Sequence, residues 1–553
     1  MLIIMLLTVT GLQAQITIDG RRACYDALTN TFLTTVPEQA FQRDTLLAVA
    51  TDDDCLLMSI DGQAVTDNVY RFDNITADKT YSIEITRRDG QTTASLLQFT
   101  FLPLIQLQGT FHDNYENGTF LYCSPDLPAT ETLTARIKWR GGTTNVEGKH
   151  KRNYKVKFGE DHRFLDMRND NNWILDAGQA DVFRLRNRVA MDIWNDIDSR
   201  PYYADREPKA RNGVSGRVVE VFLNNEYQGI YNFSENLDRK QMKVVKADSV
   251  TGAVHGCLYK VKHFGYGNMN DTVGPYDNHS ETWEHIEVKY PDLNDNDTTD
   301  WKTLYDALNF VTFASDDDFA AHVSDYFDLP VVVDISIFIG LVNGLDNRGK
   351  NIFWAVYDKE HDKKLTPAPW DLDCTTGQEW VSEDIRGPEI LFDWEIGLTN
   401  RLTANNVLHF NDQLNSRYKQ LRQQLLTDDY LIGKYTSYYS LIKQSGAARR
   451  ETRRWSGDSD VRGEEIDFDK EINYITDWLT VHMEWLDNAW FPLDAWYDWY
   501  ESTGIDDSLL RQSHLQPQGL YTISGVRLPF NDPAKAQLKP GLYIYNGRKI
   551  RVR

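Results

Sequence analysis

Asp346 and Asn351 stand five positions apart, and a second acidic pair, Asp371 and Asp373, follows Pro369-Trp370, all within GLDNRGKNIFWAVYDKEHDKKLTPAPWDLDCTTG. Carboxylate and amide oxygens are hard donors. Mg²⁺ takes one or two carboxylates and completes its octahedron with waters and substrate phosphates, so few protein ligands are enough if they converge. These residue types therefore suit a magnesium and nucleotide site. Asp and Asn are also common turn residues, because their side chains bond their own backbone. The elements around them must decide between the two readings.

Those elements have a definite order. VVVDISIFIGLVNGL is an apolar stretch that ends just before Asp346, NIFWAVYD reads as a strand, and KLTPAPWDLD reads as a second strand beyond a charged turn. Helix, loop, hairpin and acidic pair is the order in which a kinase C-lobe sets its base and its metals. The spacing Asp-x-x-x-x-Asn is that of the kinase catalytic loop, where the Asp accepts the hydroxyl proton and the Asn holds a metal.

Further upstream, ARIKWRGGTTNVEGKHKRNYKVKF gathers basic residues around a Gly-Gly turn. Strand alternation puts Tyr154, Val156 and Phe158 on one face and Lys155 and Lys157 on the other. A glycine-bearing turn lets backbone N–H groups approach an anion, and a lysine nearby can reach the same phosphates. A solvated hairpin with exposed lysines would show the same pattern. DVFRLRNRVAMDIWNDI has apolar residues at helical spacing with Asp181 as the expected N-cap. GRVVEVFLNNEYQGIYNFSENLD reads as a hairpin turning at Asn-Asn, with Glu235 and Asp238 at its end as polar linker residues.

The chain has 553 residues, 59 Lys and Arg against 82 Asp and Glu, a net charge of −23 and 41% hydrophobic residues. That length implies about three or four domains at roughly 150 residues each. No Lys/Arg run makes a polyphosphate track, so nucleic acid is not an expected partner. MLIIMLLTVTGLQAQ suits a signal peptide cleaved after Ala14, although it lacks a positive start, and no segment is long and apolar enough to span a bilayer. Five cysteines without a Cys-x-x-Cys pair argue against a thiolate zinc site, and an oxidising compartment would permit Cys24 to pair with Cys55. Residues 15–107 alternate in short strand-like runs and read as a β-sandwich-like accessory domain. The stretch from His263 to Asp300 reads as long loops, helical patterns then run to about Trp490, and a short β tail occupies 519–553.

Taken together, RGGTTNVEGKHKRNYKVKF, FRLRNRVAMDIW, VEVFLNNEYQGIYNFSENLD, DNRGKN and PWDLDCTTG resemble, in order, the motifs of the spore-coat protein H (CotH) kinase family from about Thr110 to Trp490. GVRLP and LKPGLYIYNGRKIRVR similarly resemble the tail of many exported Bacteroidetes proteins, some linked to type IX secretion. The resemblance implies an α+β fold: an atypical protein-kinase-like bilobal domain with an N-lobe at 108–240 and a mostly helical C-lobe at 241–495, after a signal peptide at 1–14. It implies ATP with Mg²⁺, or Mn²⁺ in its place, and transfer of the γ-phosphoryl group to Ser/Thr hydroxyls of a protein substrate. Arg140, Gly141, Gly142, Thr143 and Thr144 would form the phosphate-covering turn, with Thr143 and Thr144 where the family often has Ser. One of Lys151, Lys155 and Lys157 would bind phosphate, Asp346 would be the base, Asn351 and Asp371 or Asp373 would hold metal, and Glu235 would contact the nucleotide. The expected location is periplasmic, cell-surface or secreted, with a surface or secretion-machinery partner for the tail. The rival readings are a catalytically inactive kinase-like surface binding or adhesion protein and, more weakly, a metal-dependent hydrolase.

Overall fold

The computed structural model describes residues 15–490 apart from 128–129, 143, 271–272, 277–281, 284, 292–299, 379–387, 389–393, 395 and 459–464, together with 520–522, 541–545 and 548–552. The signal-peptide reading of 1–14 and the Thr143 assignment lie outside the described residues. The chain mixes helices with several sheets and divides into two compact units that do not follow chain order. The first unit joins residues 1–184, 216–235 and 438–468; the second joins 185–215, 236–437 and 469–553.

In the first unit, the N-terminal strands form a four-stranded and a six-stranded sheet over a shared apolar core that includes Ile18, Phe32, Val49, Phe72, Ile83 and Phe99. Period-two alternation makes this legible, as in Tyr81–Arg87, where Tyr81, Ile83 and Ile85 are buried while Ser82 and Glu84 are exposed. The next seven strands close into a barrel, with Leu104–Gln108 pairing Glu116–Cys123 on one side and, in parallel, Gly216–Leu223 on the other. Closure removes sheet edges, and the interior is filled by Phe120, Ile137, Tyr154, Val156, Phe158, Trp173 and Phe233 among others. The strand Asn153–Arg163 buries Tyr154, Val156 and Phe158 and turns Lys157 to solvent, as its alternation requires. The Gly216–Leu223 and Glu226–Glu235 hairpin turns at Asn224 and Asn225, both at positive φ (50° and 63°), which asparagine tolerates better than most residues.

Two sequence expectations are corrected here. The helix after FRL runs over Arg186–Ile197 with Leu185 at its N-cap; Asp181 instead accepts the Phe183 N–H (2.9 Å) in the turn before it. Cys24 is fully buried with its thiol against that of Cys123, not Cys55, because strand Cys24–Asp26 and strand Glu116–Cys123 both pack into a small cluster with Leu104 and Phe222.

The second unit holds the helix Arg186–Ile197, a five-stranded antiparallel sheet and most of the other helices. The sheet order is Thr282–Trp283, Ile286–Tyr290, Cys257–Val261, Ile352–Val356, Leu365–Pro369. The first two strands fall where long loops were expected: HIEVKY is short and only half alternating, and pairing with Cys257–Val261 is what makes it a strand. The helix Leu329–Val342 is buried on nearly every side, as its unbroken apolar sequence demands. Asn343 ends it at φ 51°, with the Gly344 N–H donating to Ile339 O (3.0 Å). The tail residues Leu520–Thr522, Gly541–Tyr545 and Arg548–Val552 form an antiparallel sheet. Among the described residues no helix is long and apolar enough to cross a membrane.

Candidate active site

The hairpin Ile352–Val356 and Leu365–Pro369 brings the two acidic motifs together inside the second unit. Ile352 pairs with Pro369, so Asn351 and Trp370 sit opposite each other at the same end, and the Trp370 N–H donates to Asn351 O (2.9 Å). Asn347, fully buried, donates its side-chain amide to Trp370 O (2.8 Å), and Leu345 N–H donates to Cys374 O (3.2 Å). The loop with Asp346 is thereby stitched to the segment with Asp371 and Asp373. Within it, Asn351 Nδ2 donates to Asp346 Oδ2 (3.1 Å) and Lys350 Nζ pairs with Asp346 Oδ1 (2.6 Å). The Asn351 amide therefore presents its oxygen, the atom able to coordinate a cation. Asp371 is exposed, Asp373 is half-buried and Asn351 is buried.

The backbone here is held in an uncommon conformation. Asn351 (φ 56°), Asp371 (φ 59°) and Thr376 (φ 50°) are all left-handed. Asn and Asp accept that region; a β-branched Thr does so only where surrounding structure over-determines it. Thr376 meets that condition: its N–H donates to Val342 O (2.6 Å), its hydroxyl bonds Tyr435 Oη (2.6 Å), and its carbonyl accepts from Arg186 Nε (3.3 Å). Asn187 Oδ1 accepts the Leu372 N–H (3.1 Å). RN in the sequence FRLRN is therefore the brace of the acidic segment, a role that its helical periodicity does not signal.

The first unit carries the basic residues. Lys151 is wholly buried; its Nζ donates to Glu451 Oε1 (2.6 Å) and Ile230 O (3.0 Å) and lies 5.1 Å from the centre of the Tyr231 ring. The same Glu451 accepts Arg184 Nε (2.7 Å) and, at Oε2, the Ile230 N–H (2.8 Å). Burial pushes the Lys151 ammonium down to about 7 even though Glu451 opposes it. Burial alone would raise the Glu451 carboxyl, but Lys151 and Arg184 together hold it below the ordinary carboxylate range. With two cations on one carboxylate, Arg184 secures the Glu451 charge whichever protonation state Lys151 adopts. Lys155 is half-buried and Lys157 exposed on the outer face of the strand, so of the three candidates only Lys151 enters this buried network.

Glu451 was missed in the sequence. It is the single acid in the helix Ala447–Trp455 (AARRETRRW), surrounded by four arginines, and that isolation was the available signal. Gly229 lets it in: at φ +98°, a Cβ there would lie 1.9 Å from Glu451 Oε2. The Gly-Gly turn is likewise specific. Gly141 sits at φ +107°, a Cβ would meet Thr144 Oγ1 at 2.3 Å, and that hydroxyl donates to Arg140 O (2.9 Å) and accepts from Asn153 Nδ2 (3.1 Å). Gly142 has open space around it. Glu235 is buried at the end of its strand, where Oε1 accepts the Arg168 N–H (2.7 Å). Asp238 caps the short helix Arg239–Met242 by accepting the Gln241 N–H (2.9 Å).

The candidate metal ligands at the hairpin end offer only oxygen, the carboxylates of Asp371 and Asp373 and the amide oxygen of Asn351, with the Asp346 carboxylate against that amide; the three carboxylates do not all lie within 4.8 Å of one another. That chemistry fits Mg²⁺ or Mn²⁺ and does not favour zinc, which prefers nitrogen or sulfur. The comparison with protein families decides the kinship: the model described as CotH kinase protein matches residues 137–486, more than half of the chain. The chain belongs to the CotH kinase family. No curated protein matches it. Membership in a CotH kinase family suggests a kinase-like phosphotransferase, and the matched span contains Lys151, Glu451, Asp346, Asn351, Asp371 and Asp373.

Proposed function

We propose that this CotH kinase family member is an atypical, kinase-like bilobal enzyme that transfers the γ-phosphoryl group of ATP to Ser/Thr hydroxyls of a protein, with Mg²⁺ and with Mn²⁺ as a substitute. The observation that carries the proposal is the Asp346–Asn351 contact at the same hairpin end as Asp371 and Asp373. In this reading Asp346 takes the proton of the acceptor hydroxyl as its oxygen bonds to phosphorus, and the bond to the leaving ADP oxygen breaks. Asn351 and Asp371 or Asp373 would hold the metal, which when bound neutralises charge on the phosphate oxygens. Lys151, kept in register by Glu451, supplies the cation that kinases place against the phosphates. The buried Lys151–Glu451 pair has the residue types of the kinase Lys–Glu pair. The turn Arg140–Thr144 would cover phosphate through its backbone, and Glu235 would contact the nucleotide at the end of its strand.

We further propose that the chain works outside the cytoplasm, in the periplasm, at the cell surface or secreted, as a Bacteroidetes-type protein with its tail as a sorting element, on the grounds of the signal-peptide-like residues 1–14 and the resemblance of the tail. The decisive experiment is metal-dependent transfer of labelled phosphate from ATP to a Ser-rich acceptor, with Asp346→Asn and the double variant Asp371→Asn/Asp373→Asn alongside. Transfer by the wild type that drops at least about 100-fold in both variants is expected. Equal incorporation in all three proteins would refute the assignment.

A further inference from the structure

We propose that His255, Asp358 and Glu360 form a binding site for a zinc-class divalent ion at the opposite end of the five-stranded sheet from Asp346. Asn351 precedes Ile352–Val356 by one residue and Asp358 follows it by two, so the five-residue strand separates the two ends by about 17 Å. His255 stands just before Cys257–Val261, which pairs Cys257 with Val356, and the Lys359 N–H donates to His255 O (2.9 Å). Backbone pairing thus fixes the histidine beside the turn that carries both carboxylates.

The side chains then take up a ligand-like arrangement. His255 Nδ1 lies 3.5 Å from Asp358 Oδ1 and 3.5 Å from Glu360 Oε2, and all three donors lie within 4.8 Å of one another. Ligands bound tetrahedrally at about 2.1 Å are separated by about 3.4 Å, so an ion would need little rearrangement of this group. His255 Nδ1 is shut off from water and has no hydrogen-bond partner, an uncommon state for a buried polar atom. A cation between the imidazole and the two carboxylates would satisfy it. Asp358 is itself buried, and its other oxygen, Oδ2, accepts from His361 Nδ1 (2.7 Å), the outer hydrogen bond that typically orients a ligating carboxylate. Glu360 is 58% exposed, which leaves one side open for a water as the remaining ligand.

The mixed nitrogen and oxygen donors distinguish this cluster from the all-oxygen set around Asp346. Imidazole with carboxylates suits Zn²⁺ and its spectroscopic stand-in Co²⁺, not Mg²⁺. Bound there, the ion would fasten strand Cys257–Val261 to the turn of the hairpin whose far end holds Asn351 and Asp371.

The test uses the full chain stripped with a chelator and titrated with ZnCl₂ against a chromophoric zinc indicator, then with CoCl₂ for the visible bands of a tetrahedral ion. One zinc per chain is expected, with affinity reduced at least about tenfold by His255→Ala and by Glu360→Ala. Asp371→Asn is expected to leave zinc uptake unchanged. Circular dichroism establishes that the variants fold, and Glu360→Ala, at an exposed position, keeps the test decisive if His255→Ala does not. No uptake by the wild type, undiminished uptake by a folded variant, or loss of uptake in Asp371→Asn would each overturn the proposal.

Discussion

Two carboxylates in this protein show how environment separates identical side chains. Asp371 is exposed and left-handed (φ 59°), a conformation that Asn also accepts. Asp371→Asn should therefore leave unfolding within about 0.5 kcal/mol of wild type in a thermal melt, so that lost phosphotransfer in the labelled-phosphate assay assigns the metal to Asp371 and retained phosphotransfer assigns it to Asp373. Asp328 is the opposite case. Burial raises its carboxyl from 3.8 to about 6, although Tyr202 N–H (2.8 Å) and the Thr366 hydroxyl (2.9 Å) both donate to it. The folded state then holds a proton that the unfolded state releases between pH 3.8 and about 6, so stability falls as pH rises through that window and is level above it. Asp328→Asn keeps an oxygen for both donors and removes the titration. Its melting temperature should exceed that of wild type at neutral pH and converge with it near about pH 4. A constant offset at both values would show that Asp328 does not titrate in this range.

At the scale of elements, the helix Ala447–Trp455 and the strand Glu226–Glu235 meet through one glycine. Gly229→Ala adds a Cβ at φ +98° and 1.9 Å from Glu451 Oε2. The carboxylate must move away from Lys151 and Arg184, leaving buried cations with a weakened partner. A loss of at least about 2 kcal/mol in urea unfolding is expected, with phosphotransfer falling in parallel. An unchanged midpoint would mean that the pair does not depend on this close approach. The hairpin end is an element-scale feature of a different kind. The hairpin itself was legible from the sequence as a short strand, a charged turn and a second strand, whereas the Ile352–Pro369 register that sets Asn351 opposite Trp370 came from the structure. Glu451 was not legible, because 300 residues separate it from Lys151 and no local periodicity reports so distant a partner.

Over the whole molecule, the first unit is completed by residues 438–468, far along the chain from its barrel. Arg450 forms a two-point pair with Glu220 (both 2.7 Å), and Glu220 also accepts from Tyr227 Oη (2.7 Å) and Thr100 Oγ1 (2.8 Å). Ending the chain after Ser437 removes both Arg450 and Glu451. It leaves Lys151, Arg184 and Glu220 as buried charges without these partners, and losing one partner of a buried pair costs about 3–5 kcal/mol. Chemical denaturation of the truncated chain should show the barrel transition at much lower denaturant. Recovery on adding a peptide spanning 438–468 would identify the cause, whereas an unshifted transition would show that the barrel is complete without it. A fragment cut at the N-lobe boundary of 240 lacks the same segment.

By itself, the sequence determined the local order: alternating strands in the N-terminal region, the shared Tyr154-Val156-Phe158 face, the apolar helix before Asp346, and a hairpin between Asn351 and the Asp371–Asp373 pair. These follow from periodicity and turn chemistry, which act between near neighbours. Tertiary structure alone decided which lysine enters a buried ion network, that Glu451 is its partner, that Cys24 faces Cys123, that Arg186 and Asn187 brace the acidic segment, and that His255 stands beside Asp358 and Glu360. Each of these joins residues far apart in the chain through burial and charge pairing, and a pattern read along the sequence carries no information about which distant partner will satisfy a buried charge.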